Sequence, residues 1–207
     1  MGRGLFIGIV LCFLQCVSTI GGTSTETTNG LCLSVDGTKV SGTTSPGVVV
    51  TLCASKYNPC APAGGHADSV KVGADGTFAF MSADTGIFNL VAVSRSRDSG
   101  VFIADIPLRV GWKVAFTDTY KAVGAIRGTI NPDTTGHRLR SIAFLPGTTL
   151  TDTVNAQNRF LLKNIPAGNF FVGLFFVYDT VRIQGSKPSD STVSVKPGDT
   201  TMWVQPK

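Results

Sequence analysis

Asp75-Gly76-Thr77-Phe78-Ala79-Phe80, followed by Gly86-Ile87-Phe88-Asn89-Leu90-Val91-Ala92, is the stretch whose reading decides the fold. Strict alternation sets Phe78 and Phe80 on one face of a strand, and Phe88, Leu90 and Ala92 on one face of the next. Asp75-Gly76 is a turn signal ahead of the first strand and Gly86 closes the connection, so the pair reads as a hairpin. Adding 82 to each number gives Phe160, Leu162, Gly168, Phe170, Val172 and Leu174. The same two-strand module is therefore predicted twice.

Alternation extends outward from both copies. Leu31, Leu33 and Val35 lead to a turn at Asp36-Gly37, then come Val48, Val50 and Leu52, then Val70 and Val72, and Val101, Ile103, Leu108 and Val110 close the first unit. The second unit runs from Ile126 and Ile130 through the turn Asn131-Pro132-Asp133 to Ile142, Phe144 and Val154, and ends with Val193-Ser194-Val195 and Thr201-Met202-Trp203-Val204. No segment shows sustained helical spacing, so the fold class is all-β: two tandem antiparallel β-sandwich domains after an N-terminal signal segment. The expected spans are 30–116 and 121–207, divided at the polar run Thr117-Asp118-Thr119-Tyr120-Lys121.

Composition agrees with folded, turn-rich structure. With 43% hydrophobic and 15% charged residues, the chain can bury a core and is not of the disordered class. The formal charge is +5, but the bases are scattered and never run beyond two adjacent positions, which is not the clustered footprint of a nucleic-acid binder.

Residues 1–22 read as a bacterial export signal, with Arg3 as the positive region and the ten apolar residues Leu5 to Leu14 as the hydrophobic region. Ten residues fall short of the roughly 20 that a membrane-spanning helix needs. Phe13-Leu14-Gln15-Cys16 is similar to a lipoprotein box, with Cys16 as the lipid attachment residue and Gln15 where a small residue is usual. Cleavage after Ser18 or Gly21, or an uncleaved anchor, are the other outcomes. Residues 23–29, rich in Ser and Thr, form a solvated tether.

Cysteine, short spacer, then Leu31-Cys32-Leu33-Ser34-Val35, with Pro46-Gly47-Val48-Val49-Val50-Thr51-Leu52 and Ile165-Pro166-Ala167-Gly168-Asn169-Phe170, resembles a known arrangement. It is similar to lipoproteins of fibre-degrading gut bacteria that display carboxypeptidase regulatory-like domains, which have a transthyretin-like, Ig-like sandwich. The resemblance implies a non-catalytic display protein of the bacterial cell envelope, anchored to the outer membrane through its N-terminal lipid and serving as a binding or spacer unit with no cofactor. The alternative is a carbohydrate- or protein-binding adhesion module, with an envelope protein or polysaccharide as partner. In the Pro166-Ala167-Gly168 turn, Pro pre-sets one torsion and Gly168 is expected to take a positive φ. The first copy carries Asp84-Thr85 in place of Pro-Ala.

Cys53 and Cys60 bracket Ala54-Ser55-Lys56-Tyr57-Asn58-Pro59, and in an exported protein this spacing predicts a local disulfide. Cys32 with Cys53 is the rival pairing. Only His66 and Asp68 stand near them in sequence, so no metal site is expected. The two histidines, His66 and His137, fall in different domains, and no Gly-x-Ser-x-Gly elbow, His-Glu-x-x-His pair or phosphate loop is present. Paired carboxylates for glycoside hydrolysis would come from Asp68, Asp75, Asp84, Asp98, Asp105 and Asp118, of which Asp75 and Asp84 have turn roles. A hydrolase is accordingly the last-ranked reading.

Trp112 and Trp203 are the candidate contacts for a sugar or protein ligand, with capping of the two cores as the structural alternative. Tyr120 and Tyr178 also stand outside the clearest core stripes. One residue of Phe170-Phe171 and one of Phe175-Phe176 must face out of its own core. Recognition is expected on what the two copies do not share: the Cys53–Cys60 loop and the Asp84-Thr85 turn.

Overall fold

The structure, a computed structural model, describes residues 30–61, 65–81, 84–132, 138–178 and 183–206, with side chains from residue 192 onward in the last segment. Cys16, the signal segment, the tether and His137 lie outside the described residues. The first sandwich contains β1 (Gly30–Asp36), β2 (Lys39–Thr43), β3 (Val49–Ala54), β4 (Ala67–Lys71), β5 (Thr77–Met81), β6 (Gly86–Val93), β7 (Ser99–Leu108), β8 (Lys113–Thr119) and β9 (Lys121–Ala122). They form two sheets, ordered β5-β2-β1-β8 and β4-β3-β6-β7-β9. The polar run Thr117-Asp118-Thr119 ends β8, and Lys121–Ala122 pairs with Ser99 and Gly100 of β7.

The second sandwich contains β10 (Gly124–Thr129), β11 (Arg138–Phe144), β12 (Thr151–Thr153), β13 (Arg159–Ile165), β14 (Gly168–Tyr178), β15 (Ile183–Val195) and β16 (Thr200–Val204). Its sheets are ordered β13-β10-β16 and β12-β11-β14-β15. Pairing is antiparallel between neighbours in both sandwiches except for β10 and β16, which run parallel.

The repeated module is not a hairpin. β5 pairs with β2 in one sheet while β6 pairs with β3 and β7 in the other, and β13 and β14 are divided between sheets in the same way. In a hairpin both apolar faces would lie side by side on one sheet and still need a cover. Crossing between sheets lets each face cover the other. Phe78 and Phe80 thus share one core with Phe88, Leu90 and Ala92, and Phe160 and Leu162 share the other with Phe170, Val172 and Leu174.

The repeat extends into the turn before each crossing strand. Gly76 (φ 71°) and Asn158 (φ 60°) take the same left-handed position, one by lacking a Cβ and the other as a residue type that tolerates it. Their carbonyls accept from Thr44 N (2.8 Å) and Ile130 N (2.9 Å) respectively, tying each turn to the chain leaving the neighbouring strand. The first aromatic of each crossing strand then lies over a glycine: Phe78 is opposite Gly42, and Phe160 is opposite Gly128. A Cβ at Gly42 would stand 2.6 Å from Phe78 Cζ, and one at Gly128 would stand closer still to Phe160 Cζ. Absence of a side chain gives each ring its seat.

The two sandwiches are joined by packing on the outer face of the β4-β3-β6-β7-β9 sheet. Phe102 of β7 packs at a tilt against Phe170 of β14, with ring centroids 4.6 Å apart. A Cβ at Gly100 would meet Pro166 Cγ at 3.0 Å, and one at Gly168 would meet Phe102 Cδ1 at 3.1 Å. Gly168 is not among the positive-φ residues, so the expected reason for it is corrected: close approach of β7 requires it, whereas left-handed backbone does not. Asn89 adds a polar lock, donating from Nδ2 to Gly147 O (3.3 Å) while its Oδ1 accepts from Asp105 N (3.1 Å). Gly147 N donates to Tyr57 O (2.9 Å) from the same turn. In the paired phenylalanines, Phe170 and Phe176 face their own core, while Phe171 and Phe175 take the outer face.

Gly128→Val should lower unfolding stability by about 1–3 kcal/mol, because the Phe160 ring must leave its seat. A urea midpoint that falls at unchanged slope checks this, and an unchanged midpoint would show that the ring can move at no cost.

Candidate functional site

Strand register gathers the non-repeated segments at one end of the first sandwich. Asp36 is opposite both Lys39 and Lys113, Lys39 is opposite Met81, Gly86 is opposite Leu108, and Ala54 is opposite Phe88. The β1–β2 turn, the β3–β4 loop, the β5–β6 crossing and the β7–β8 turn therefore share that end. Between the β3–β4 loop and the β5–β6 crossing lies a cleft of about 670 Å³. Lys56 and His66 line it from the loop, Asp84 and Thr85 from the crossing, and Ile87 and Phe88 from the start of β6.

The backbone holds these walls together. Ala54 N donates to His66 O (2.8 Å), Ser55 N to Ile87 O (2.9 Å), and Tyr57 N to Ala54 O (2.8 Å). Asn58 Oδ1 accepts from Cys60 N (2.9 Å), turning the loop at Asn58-Pro59. His66 meets the edge of Phe88 with ring centroids 6.5 Å apart. The cleft thus offers an ammonium, an imidazole and a carboxylate around an apolar floor, which suits a polar ligand with one flat or apolar side. Asp84 is the one carboxylate in its lining, whereas glycoside hydrolysis uses two.

The carboxylates that carry resolved shifts serve turns. Asp75 is held below the usual carboxylate range by the Thr77 hydroxyl, at 2.5 Å, and by the Thr77 amide. The hydroxyls of Ser96, Ser94 and Ser99 do the same for Asp98. Among the described residues no three His, Cys, Asp or Glu side chains converge as metal ligands would.

The two tryptophans have separate fates. Trp112 is 49% exposed on the β7–β8 turn, with the Arg109 guanidinium 5.5 Å above its ring, and it stands at the same end as the cleft. Trp203 is 5% exposed in the second core, tilted against Phe160 with ring centroids 5.6 Å apart, and this burial overturns its expected role as a ligand contact. Its strand alternation places it with Phe160 and Ile126 on the inner face, and there its indole fills volume. Tyr120 is likewise structural: its hydroxyl lies 2.7 Å from Thr44 Oγ1, and burial pushes it above the usual phenol range.

Cys32, Cys53 and Cys60 form no disulfide, contrary to the expected Cys53–Cys60 bridge. Cys53 is opposite Asn89 on the outer face of its sheet, fully buried, while Cys60 is only partly buried in a loop turned by Asn58. The rival Cys32–Cys53 pairing fails on topology, because Cys32 lies on the outer face of the opposite sheet. Sequence reasoning also missed Asn89, Phe102 and Gly147. A lone Asn inside the apolar run Phe88 to Ala92 was the available signal.

Burial pushes the Cys53 thiol up to about 12. Below about 9 the thiol is neutral in folded and unfolded chains alike; above it the unfolded chain loses its proton first, so stability falls as pH rises towards about 12. Cys53→Ala should remove on the order of 2–4 kcal/mol of this alkaline loss, read from denaturation midpoints at pH 8 and pH 11. Identical alkaline slopes in both proteins would contradict the burial of this thiol.

No protein-family model and no curated protein matches the chain. Among solved structures it is similar to GBS52, the minor pilin of the Gram-positive pathogen Streptococcus agalactiae, at 11% identity and a TM-score of 0.35, covering 79% of this chain and 83% of that one. It is also similar to the TIE protein of Bacillus anthracis, at 12% identity and a TM-score of 0.29, covering 88% of this chain and 41% of that one. BcpA, the major pilin subunit of Bacillus cereus, superposes with 11% identity and a TM-score of 0.27 over 85% of this chain and 58% of that one. The tandem β-sandwich architecture itself rests on the strand pairings described above.

Proposed function

We propose that the chain is a non-catalytic binding module displayed at the bacterial cell envelope, with the loop end of its first sandwich as the recognition surface. The observation that carries this reading is the convergence of the Cys53–Cys60 loop and the Asp84-Thr85 crossing on one cleft, at the same end of the sandwich as an exposed Trp112. The two segments differ from their counterparts in the second copy, where Pro166-Ala167 is packed away against β7. Lys56, His66 and Asp84 supply hydrogen bonds and charge, and the Trp112 face supplies stacking area. A polysaccharide or an envelope protein presenting polar groups on a flat face is the partner class.

Display follows from the N-terminal segment. Residues 1–22 direct export, Cys16 takes the lipid, and 23–29 set the sandwiches away from the membrane as a tether. The carboxypeptidase regulatory-like resemblance supports the same reading, in which the sandwiches present loops and perform no chemistry.

Two measurements test the proposal. Cys16→Ala should move the protein from the membrane fraction to the soluble fraction; unchanged retention would rule out anchoring at that residue. Pull-down on insoluble polysaccharides and on envelope extract should weaken at least tenfold in Lys56→Ala/Trp112→Ala. Binding that survives this pair would place recognition elsewhere on the molecule.

A further inference from the structure

The net charge is distributed unevenly between the sandwiches. Residues 30–122 hold eight Lys or Arg and seven Asp or Glu, whereas residues 123–207 hold nine and five. Arg3 and Glu26 offset one another, so four of the five net positive charges reside in the second sandwich.

Part of that charge is arranged on one surface. In the β13-β10-β16 sheet, Ile126, Phe160, Leu162 and Trp203 are buried, which turns the alternate residues outward. Arg127 lies between Leu161 and Met202, and Thr129 lies between Arg159 and Val204. Lys163 continues the β13 row. Arg127, Arg159 and Lys163 are exposed, and none forms an ion pair among the described residues. Met202 is 64% and Val204 69% exposed beside them. The nearby acids are engaged: Asp152 Oδ2 accepts from Leu161 N (2.7 Å) at the sheet edge, and Asp199 Oδ1 accepts from Thr200 N (2.7 Å) ahead of β16.

We propose that this outer face docks on a bilayer bearing anionic headgroups. Arg127, Arg159 and Lys163 pair with headgroup phosphates, while Met202 and Val204 enter the headgroup layer. An open three-stranded sheet presents its cations over a broad surface, and a membrane matches that geometry as a second plane. The outward side chains named here are cationic, aliphatic, thioether or hydroxyl, with no aromatic ring for a sugar to stack on, which favours lipid over polysaccharide. The inference does not depend on lipid attachment at Cys16 or on the cleft of the first sandwich.

Co-sedimentation of the full chain with phosphatidylcholine vesicles, and with vesicles containing about one third phosphatidylglycerol, tests it. Any contribution of the N-terminal segment is common to all variants. Preference for the anionic vesicles should fall at least tenfold in Arg127→Glu/Arg159→Glu and stay within about twofold of wild type in Arg95→Glu/Arg97→Glu, which changes net charge equally. The charge-conserving Arg127→Lys/Arg159→Lys should keep the preference, which separates loss of charge from loss of fold. Equal loss from both reversal pairs, no preference for anionic vesicles, or retention on dextran sulfate without vesicle binding would overturn the proposal.

Discussion

The passage of the chain from one sheet to the other after β5, and again after β13, is the constraint on which the rest of the structure depends. A strand with one apolar face is stable only when that face is covered. By sending consecutive strands to opposite sheets, the chain makes Phe78 and Phe80 the cover for Phe88, Leu90 and Ala92, and repeats the device with Phe160, Leu162, Phe170, Val172 and Leu174. Other features serve this step. Gly76 and Asn158 set the left-handed turn that aims each strand, and Gly42 and Gly128 clear room for the first ring.

The two crossings are alike in the core and opposite at the surface. Pro166 is buried, and the Pro166–Gly168 turn presses on Gly100 and Phe102, so the second crossing becomes part of the joint between sandwiches. Asp84 and Thr85 are exposed and line an open cleft. A rigid apolar corner suits a permanent contact because it loses little entropy on burial, whereas Asp-Thr would have to surrender hydration there. Divergence of a two-residue connection thus separates a structural use of the repeat from an exposed one.

Sequence carried the class, the repeat and the core faces, because period-two alternation is local and strong in segments such as Leu31 to Val35 and Phe88 to Ala92. The partner of each strand was not legible. A hairpin and a sheet crossing have the same alternation on either side of the connection, and only long-range register distinguishes them. The two tryptophans show the same limit: Trp203 is core because β16 pairs parallel to β10, a pairing absent from local pattern. Cysteine spacing misled for a related reason, since the separation of Cys53 and Cys60 along the chain does not reveal the direction of the Cys53 side chain. At the candidate site, the segments were identifiable as the non-repeated ones, but their meeting in one cleft depends on the register of β1, β3, β5 and β6.

Asn89 adds a directional contact to the joint between sandwiches. Ring contacts such as Phe102 on Phe170 are broad and tolerate sliding, so alone they would permit several arrangements of similar energy. Asn89 lies in a buried position where an unmet amide is costly, and its two polar ends are taken by Gly147 O in one sandwich and Asp105 N in the other. Sliding the joint would break the first of these bonds without offering water in exchange. The amide therefore selects one register among those the apolar surface allows. Because the register is selected, the cleft at the loop end of the first sandwich and the cationic sheet of the second keep a set orientation to each other.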